Sequence, residues 1–279
     1  MAIRTSQQES IQEIQFVQKK SPCKRECEDS FVINDHLGIY GVMDGATPVD
    51  HFKDEAGHNG AYLAANIFKN YFESLQAASH LHHEVLQANR LLKQAMESHG
   101  VDQAVKPSLW STCVSVVRIT DNMLKYASLG DTMILICNNQ DEINVLTVNT
   151  VKNISVRARM NRELARDNGK EIPKETYFNN ERNKISYHRE MANMPNGYAV
   201  ANGMDEVKYY IQHGMLPVKD LKQALIMSDG LFDAKDDLRE VYWEIHNNGL
   251  ENFVQKLSLK EEQSNSHSDD KTAVLLTFH

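Results

Sequence analysis

Short runs rich in β-branched and apolar residues recur along the chain in groups, and each group is flanked by a pair of helical stripes, a pattern that few architectures satisfy. "SFVIN" and "LGIYGVM" read as a hairpin joined through Asp35 and His36. Ala64, Ile67, Phe68, Tyr71, Phe72 and Leu75 form one apolar stripe at helical spacing, and Leu81, Val85, Leu92 and Met96 form another. Four strand-like runs follow, "STCVSVVRI", "MLKYASL", "TMILICN" and "INVLTV", which read as an antiparallel meander. "VKYYI" and "LKQALIMS" then resume the strand pattern. Two further helices come next: the first, from about Asp237, carries Leu238, Val241, Tyr242 and Ile245 and stops at "NNG", and the second carries Leu250, Phe253, Val254 and Leu257. "KTAVLLTF" closes the chain as a strand. Tyr242 and Trp243 sit at core spacing. Helix pairs around antiparallel runs predict an α+β fold, a four-layer α-β-β-α sandwich of two packed sheets with helices outside. The 279 residues suffice for one large domain or two small ones and are read as a single domain, 1–279, in which the polar stretch 151–193, with weak stripes such as Ile154, Ala158 and Leu164, reads as an appended flap or lid.

The formal charge of -8 argues against a nucleic-acid groove and leaves carboxylates in excess. No apolar run approaches the roughly 18 to 20 residues that cross a bilayer, and "MAIRTSQQES" has no apolar signal core, so no membrane role and a cytoplasmic location are expected. Four cysteines make reduced thiols the default. Cys23 and Cys27 suggest half a zinc site, but no second Cys/His pair completes it.

Several acids fall where strands begin or end. Asp44 ends "IYGVMDG" and Asp229 ends "ALIMSDG", each followed by a glycine that permits a tight turn. Glu28 and Asp29 precede a strand, as Asp269 precedes "KTAVLLTF", and Asp131 follows "YASLG". In an antiparallel sheet the start of one strand lies beside the end of its neighbour, so these carboxylates can share one edge. Like charges so close call for a cation or protons. Together with the Gly45 carbonyl they make an oxygen-rich site for a hard divalent ion, Mg²⁺ or Mn²⁺. Asp-Gly is also a common turn signal and acids often cap strands, so on the residues alone both readings stand.

In this order the motifs resemble those of the metal-dependent protein phosphatases of type 2C, bacterial members included. "CEDSFVI" resembles the family's Glu-Asp motif, "YGVMDG" its "GVFDG", "ASLGDT" its "NxGDS", "LIMSDGLFD" its "LxSDGLWD" and "SDDKTAVLLTF" its closing "DNxTxxxV". The resemblance runs from about residue 20 to 279. It implies the same sandwich, a binuclear Mn²⁺/Mg²⁺ site between the sheets, and hydrolysis of phosphoserine and phosphothreonine by a metal-bridging hydroxide. By motif, Asp44 would bridge both metals, Gly45 would bind one through its carbonyl, Asp229 and Asp269 would hold the other, and Glu28 would act there through water. Asp131, with Asp229, would serve a weaker third metal. Asp270 stands where many members have Asn and reads better as a strand cap than as a ligand. Lys24 takes the place of the phosphate-binding arginine, with Arg25 adjacent as the alternative. The expected partners are a phosphoprotein substrate and a cognate Ser/Thr kinase.

Two departures matter. Many members follow the Asp-Gly with His-Gly-Gly, whereas this chain has Ala46 and Thr47; His51 and His58 read as exposed or helix-N-terminal residues rather than substitute acids. No cysteine sits in a phosphate-cradling loop, which counts against a phosphocysteine route. Three histidines in "SHLHHE", His80, His82 and His83, could bind a transition metal, but they begin a helix away from the acids. "NGYAVANGMDEV" reads as a loop near the site or an ordinary turn. A small-molecule phosphomonoesterase and a weak pseudophosphatase that binds a partner are the competing functions.

Overall fold

A computed structural model of the chain describes residues 2–4, 10–46, 49–232, 237–264 and 268–279. In chain order the elements are β1 Ala2–Arg4, β2 Ile11–Lys19, β3 Ser30–Asn34, β4 Ile39–Gly45, α1 Gly60–Ser74, α2 Leu81–Ser98, β5 Thr112–Thr120, β6 Met123–Leu129, β7 Met133–Asn138, β8 Ile143–Val145, α3 Ile154–Asp167, α4 Glu181–Glu190, β9 Gln212–Pro217, β10 Leu221–Met227, α5 Leu238–Asn248, α6 Leu250–Ser264 and β11 Lys271–Phe278. One sheet has the order β1-β2-β11-β10-β7-β8 and the other β3-β4-β5-β6-β9, with every pairing antiparallel.

The sheets face each other across a layer that contains Ile14, Tyr40, Val42, Val117, Leu124, Ile134, Ile226 and Val274. On the outer face of the five-stranded sheet, Phe68 and Phe72 of α1 and Leu92 and Met96 of α2 pack on Ile39, Met43, Val114 and Leu129. Tyr242, Ile245 and Val254 of α5 and α6 cover the six-stranded sheet against Leu135, Leu225 and Leu275. This is the expected four-layer sandwich. The hairpin between β3 and β4 also forms as read: the Asn34 side chain accepts a hydrogen bond from the Leu37 backbone N–H, and Gly38 turns the chain with φ 64°.

Two expectations fail, and one strand goes unread, for physical reasons. The four runs after α2 are not one meander. β5 pairs with β6, and the chain then crosses to the other sheet, where β7 pairs with β10 and β8. The crossing is Gly130–Thr132: Gly130 has φ 93°, and a Cβ there would lie 2.2 Å from Cys113 Sγ. Thr132 is buried between the sheets, its hydroxyl donating to Ser115 Oγ at 2.9 Å and its carbonyl accepting from the same hydroxyl at 2.8 Å. "VKYYI" is not a strand; residues 205–209 form a 3₁₀ turn with Val207 buried and Tyr209 74% exposed, and pairing starts only at Gln212. β2 escapes the sequence pattern altogether. A register shift opposite Thr277 and Phe278 puts Ile11 and Ile14, three residues apart, on the same face between the sheets, while Val17 faces α5 and α6 on the other.

Within 151–193, α3 buries only Ala158 and Arg162, and α4 only Arg189. Arg162 lies over the rings of Phe178 and Tyr187, at 4.1 and 4.9 Å, and is paired with Glu175 at 2.6 Å. Cation–π contacts and ion pairs thus replace an apolar core in this segment.

Candidate active site

Asp44 is the penultimate residue of β4, held in register opposite Cys113, and its carbonyl accepts from Thr112 Oγ1 at 2.9 Å. Gly45 follows where backbone meets backbone: a Cβ would lie 2.5 Å from the Glu28 carbonyl oxygen and 2.6 Å from that of Ala61. Only glycine fits. Asp131 projects from the sheet-to-sheet crossing, and Asp229 from the 3₁₀ turn that ends β10. Gly230 lets that turn press against the Asp270 carbonyl, 1.9 Å from where a Cβ would stand.

The two sheets therefore bring together residues far apart in sequence. One oxygen from each of Asp44, Asp131 and Asp229 lies within 4.8 Å of the others, and no other group of three or more metal-ligating side chains among the described residues comes so close. Asp29 stands behind them, 2% exposed, with its Oδ2 buried and unpartnered. A cavity of about 220 Å³ opens over the cluster, with Asp269, Cys113 and Gly45 in its wall. Residues from 151–198 close the other side: Ile154, Ile185, His188, Arg189 and Tyr198.

Burial and mutual repulsion disfavour so many charges. Burial first, then Asp29, Asp229, Asp131 and Asp269, push the Asp44 carboxyl well above its ordinary range. Asp229 is raised as well, by burial first and then by Asp131 and Asp269. Burial raises Asp131, and raises Asp29 to about 7. The donor set is all oxygen, spread over three elements and short of positive charge, with one buried carboxylate oxygen unpartnered. It fits a hard divalent cation.

A second group of acids surrounds Lys24. Its Nζ lies 2.5 Å from Asp269 Oδ1, 2.9 Å from Glu28 Oε2 and 3.2 Å from Asp270 Oδ2. Burial opposes the Lys24 charge, but Asp269, Glu28 and Asp270 outweigh it and hold the ammonium well above its ordinary pKa. Glu28 is fixed from its other oxygen by Asn59 Nδ2 at 2.5 Å, while Asn59 Oδ1 caps α1 by accepting from the Tyr62 N–H. Asp270 is committed to structure: its oxygens accept the backbone N–H groups of Ser21 and Glu28, both at 2.7 Å. Those bonds tie the segment before β3 to the start of β11 rather than capping β11 itself. Lys271, 2% exposed, donates to the Asp269 carbonyl at 2.9 Å and fixes the loop that carries Asp269.

Other candidates fall away. Arg25 is exposed and its guanidinium lies against Gly57, not among the acids. His51 is exposed; His58 pairs with Glu26 and stacks on Tyr62. Neither lines the cavity. Cys23 is exposed and Cys27 is half-buried, both free thiols. Ala46 follows the Asp-Gly at the cavity wall, and Thr47 lies outside the described residues.

One residue that sequence reading missed is Arg189 of α4. Nη1 donates to the Leu109 carbonyl at 2.8 Å and Ser111 Oγ at 2.7 Å, and Nη2 to the Ala46 carbonyl at 2.9 Å. A guanidinium from 151–193 therefore holds the chain just after Asp44 and Gly45. Its only sequence signal was a charge in a polar stretch. Tyr198, in the "NGYAVANG" loop, is the other: that loop does lie at the site.

The sequence model of the family described as protein phosphatase 2C matches residues 17–269, nearly the whole chain. Among solved structures, the serine/threonine phosphatase Stp1 from Staphylococcus aureus superposes with a TM-score of 0.59 at 14% identity, over 95% of this chain and 94% of that one. The Mycobacterium tuberculosis serine/threonine phosphatase PstP/Ppp gives 0.59 at 13% identity, over 99% of each chain. RsbX in complex with magnesium gives 0.54 at 13% identity, over 100% of each. No curated protein sequence matches the chain. At such identities the structures establish the fold, and the sequence model establishes the family. The chain belongs to the protein phosphatase 2C family, whose members are metal-dependent protein serine/threonine phosphatases.

Proposed function

We propose that the chain is one phosphatase domain with 151–193 as its flap, and that Asp44, Asp131, Asp229 and Asp269, with the Gly45 carbonyl and Glu28, hold its divalent ions. The observation that carries this is the convergence of Asp44, Asp131 and Asp229 oxygens within 4.8 Å, beneath a cavity whose wall also holds Gly45 and Asp269. Two Mg²⁺ or Mn²⁺ ions are the reading, with Asp131 and Asp229 available to a third, weaker one. Bound there, such ions supply the positive charge that makes water a nucleophile near neutral pH and neutralises phosphoryl oxygens.

The remaining parts belong to the chain itself. Lys24 is a flexible cation beside Asp269 at the cavity's edge and attracts the phosphoryl group without fixing its orientation, because an ammonium lacks the arginine fork. Arg189 keeps Ala46, and so Asp44 and Gly45, in place. Ile154, Ile185 and Tyr198 narrow the cavity and shield it from water. Cys113 is no nucleophile, since burial and the neighbouring Asp131 and Asp44 raise its thiol well above the range where thiolate forms.

No helix of the described residues is long and apolar enough to cross a membrane. We place the protein in the cytoplasm, acting on phosphoproteins made by a cognate Ser/Thr kinase. The test is hydrolysis of a phosphoserine peptide with Mn²⁺, with Mg²⁺ and with EDTA. Turnover with either ion and none with EDTA supports the reading; equal turnover in EDTA contradicts it. Turnover of small phosphomonoesters alone would favour the competing phosphomonoesterase.

A further inference from the structure

The fold brings a fourth histidine to the three of "SHLHHE". His80 precedes α2, His82 and His83 lie in its first turn, and His213 comes from β9, the edge strand of the five-stranded sheet. His213 pairs with Ala127, which faces α1 and α2, so it emerges on the same outer face as α2. The ring centroids of His82 and His83 are 4.1 Å apart, those of His82 and His213 4.7 Å, of His80 and His83 5.7 Å, and of His80 and His82 5.9 Å.

Among the described residues none of their ring nitrogens makes a hydrogen bond or ion pair, and none of the four lines the acidic cavity. The backbone beneath them, in contrast, is fixed. Arg118 Nη1 donates to the carbonyls of Ala78 and Ser79 at 2.8 and 3.1 Å; the Ser79 N–H donates to Glu84 Oε1 at 2.6 Å, and the His83 N–H to the His80 carbonyl at 2.8 Å. The crowding also favours the unprotonated ring that a metal needs: burial, then His83, His213 and His80, lower the pKa of His82.

We propose that His80, His82, His83 and His213 form a second metal site, separate from the carboxylates and selective for an imidazole-preferring ion such as Zn²⁺, Ni²⁺ or Cu²⁺. Imidazole suits these borderline ions, whereas the oxygen-only site suits Mg²⁺ and Mn²⁺. Four nitrogens about 2.0–2.1 Å from a tetrahedral ion put their ring centroids roughly 5 Å apart, and four of the six pairs stand at 4.1, 4.7, 5.7 and 5.9 Å. His82 and His213 now stack at 22° rather than converge. Three of the four rings are exposed, so torsions about their side chains can turn the nitrogens inward without moving backbone. The bound ion would clamp the start of α2 to the edge strand.

The test is calorimetric titration of the full chain with Zn²⁺ in excess Mg²⁺, which fills the carboxylates. Wild type should bind one Zn²⁺ per chain and melt at higher temperature with it. The His82→Ala/His213→Ala double variant should bind Zn²⁺ about a hundredfold more weakly, yet keep the zinc-free melting temperature and Mn²⁺-dependent phosphatase activity of wild type. His83→Ala, at an exposed ring, should give the same loss in part. No Zn²⁺ bound in the presence of Mg²⁺, or equal affinity in the double variant, overturns the proposal. Should the double variant not fold, His83→Ala decides: unchanged zinc affinity there overturns it too.

Discussion

Lys24 Nζ lies 2.5 Å from Asp269 Oδ1, so the cation that takes the family arginine's place is also the counter-ion of a carboxylate in the cavity wall. The two roles make opposite demands. Lys24→Ala should raise KM and lower kcat/KM on a phosphopeptide by ten- to a hundredfold, about 1.4 to 2.7 kcal/mol. It should also tighten Mn²⁺ binding, because Glu28 and Asp269 lose the ammonium that neutralises them. Lys24→Arg should keep or improve kcat/KM through a two-pronged grip. Arg25→Ala should be silent. Steady-state kinetics with Mn²⁺ titration reads all four outcomes; a Lys24→Ala enzyme with wild-type kcat/KM would show that Lys24 does not meet the phosphate.

Metal-free stability should fall as pH rises. Asp44, Asp131, Asp229 and Asp29 all have folded pKa values above the unfolded one, Asp29 at about 7. The folded state therefore holds protons that the unfolded chain has released. That contribution is full below about pH 4 and is lost as pH climbs through the folded values, toward pH 7 and beyond. In EDTA, the melting temperature attributable to this cluster should drop between pH 5 and pH 8, on the order of 1 kcal/mol or more, and Mg²⁺ should restore it. Asp44→Asn should flatten the slope. A metal-free melting temperature equally pH-sensitive in Asp44→Asn would remove Asp44 from the cause.

Arg189 joins the flap to Ala46, the residue after Gly45, by one charge-assisted hydrogen bond, and to Leu109 and Ser111 by two more. Arg189→Met should leave three acceptors short of a donor and cost about 2–4 kcal/mol of stability. Lysine cannot reach all three at once, so Arg189→Lys should recover only part. Beyond stability, kcat should fall more than KM rises, because what moves is the Asp44–Gly45 corner. Unfolding curves and kinetics on the same samples separate the two effects, and a variant as stable and active as wild type contradicts the positioning role.

The layers were legible because α1, α2, α5 and α6 and the hairpin of β3 and β4 each obey a simple period. β2 was not, since a register shift puts Ile11 and Ile14, three residues apart, on one face while Val17 lies on the other. The crossing at Gly130–Thr132 was hidden as well: a strand buried on both faces, like β7, carries no mark of which sheet it joins. At the site, Asp44, Asp131 and Asp229 could be found because strand ends and Asp-Gly turns are local signals. Arg189, Tyr198 and Asn59 could not, since each acts across 31 residues or more through contacts that only the folded chain creates. Asn59 both caps α1 and holds Glu28, and the second bond has no local sequence signal.

The central claim is that Asp44, drawn together with Asp131 and Asp229, holds the ions on which phosphate hydrolysis depends. The most direct measurement is phosphoserine-peptide turnover by Asp44→Asn in excess Mn²⁺, paired with its Mn²⁺ stoichiometry and its metal-free melting temperature. The predicted result is no turnover, a reduced number of tightly bound ions, and a melting temperature equal to or above that of wild type, because one repelling charge is gone. Wild-type turnover by a folded Asp44→Asn enzyme would contradict it.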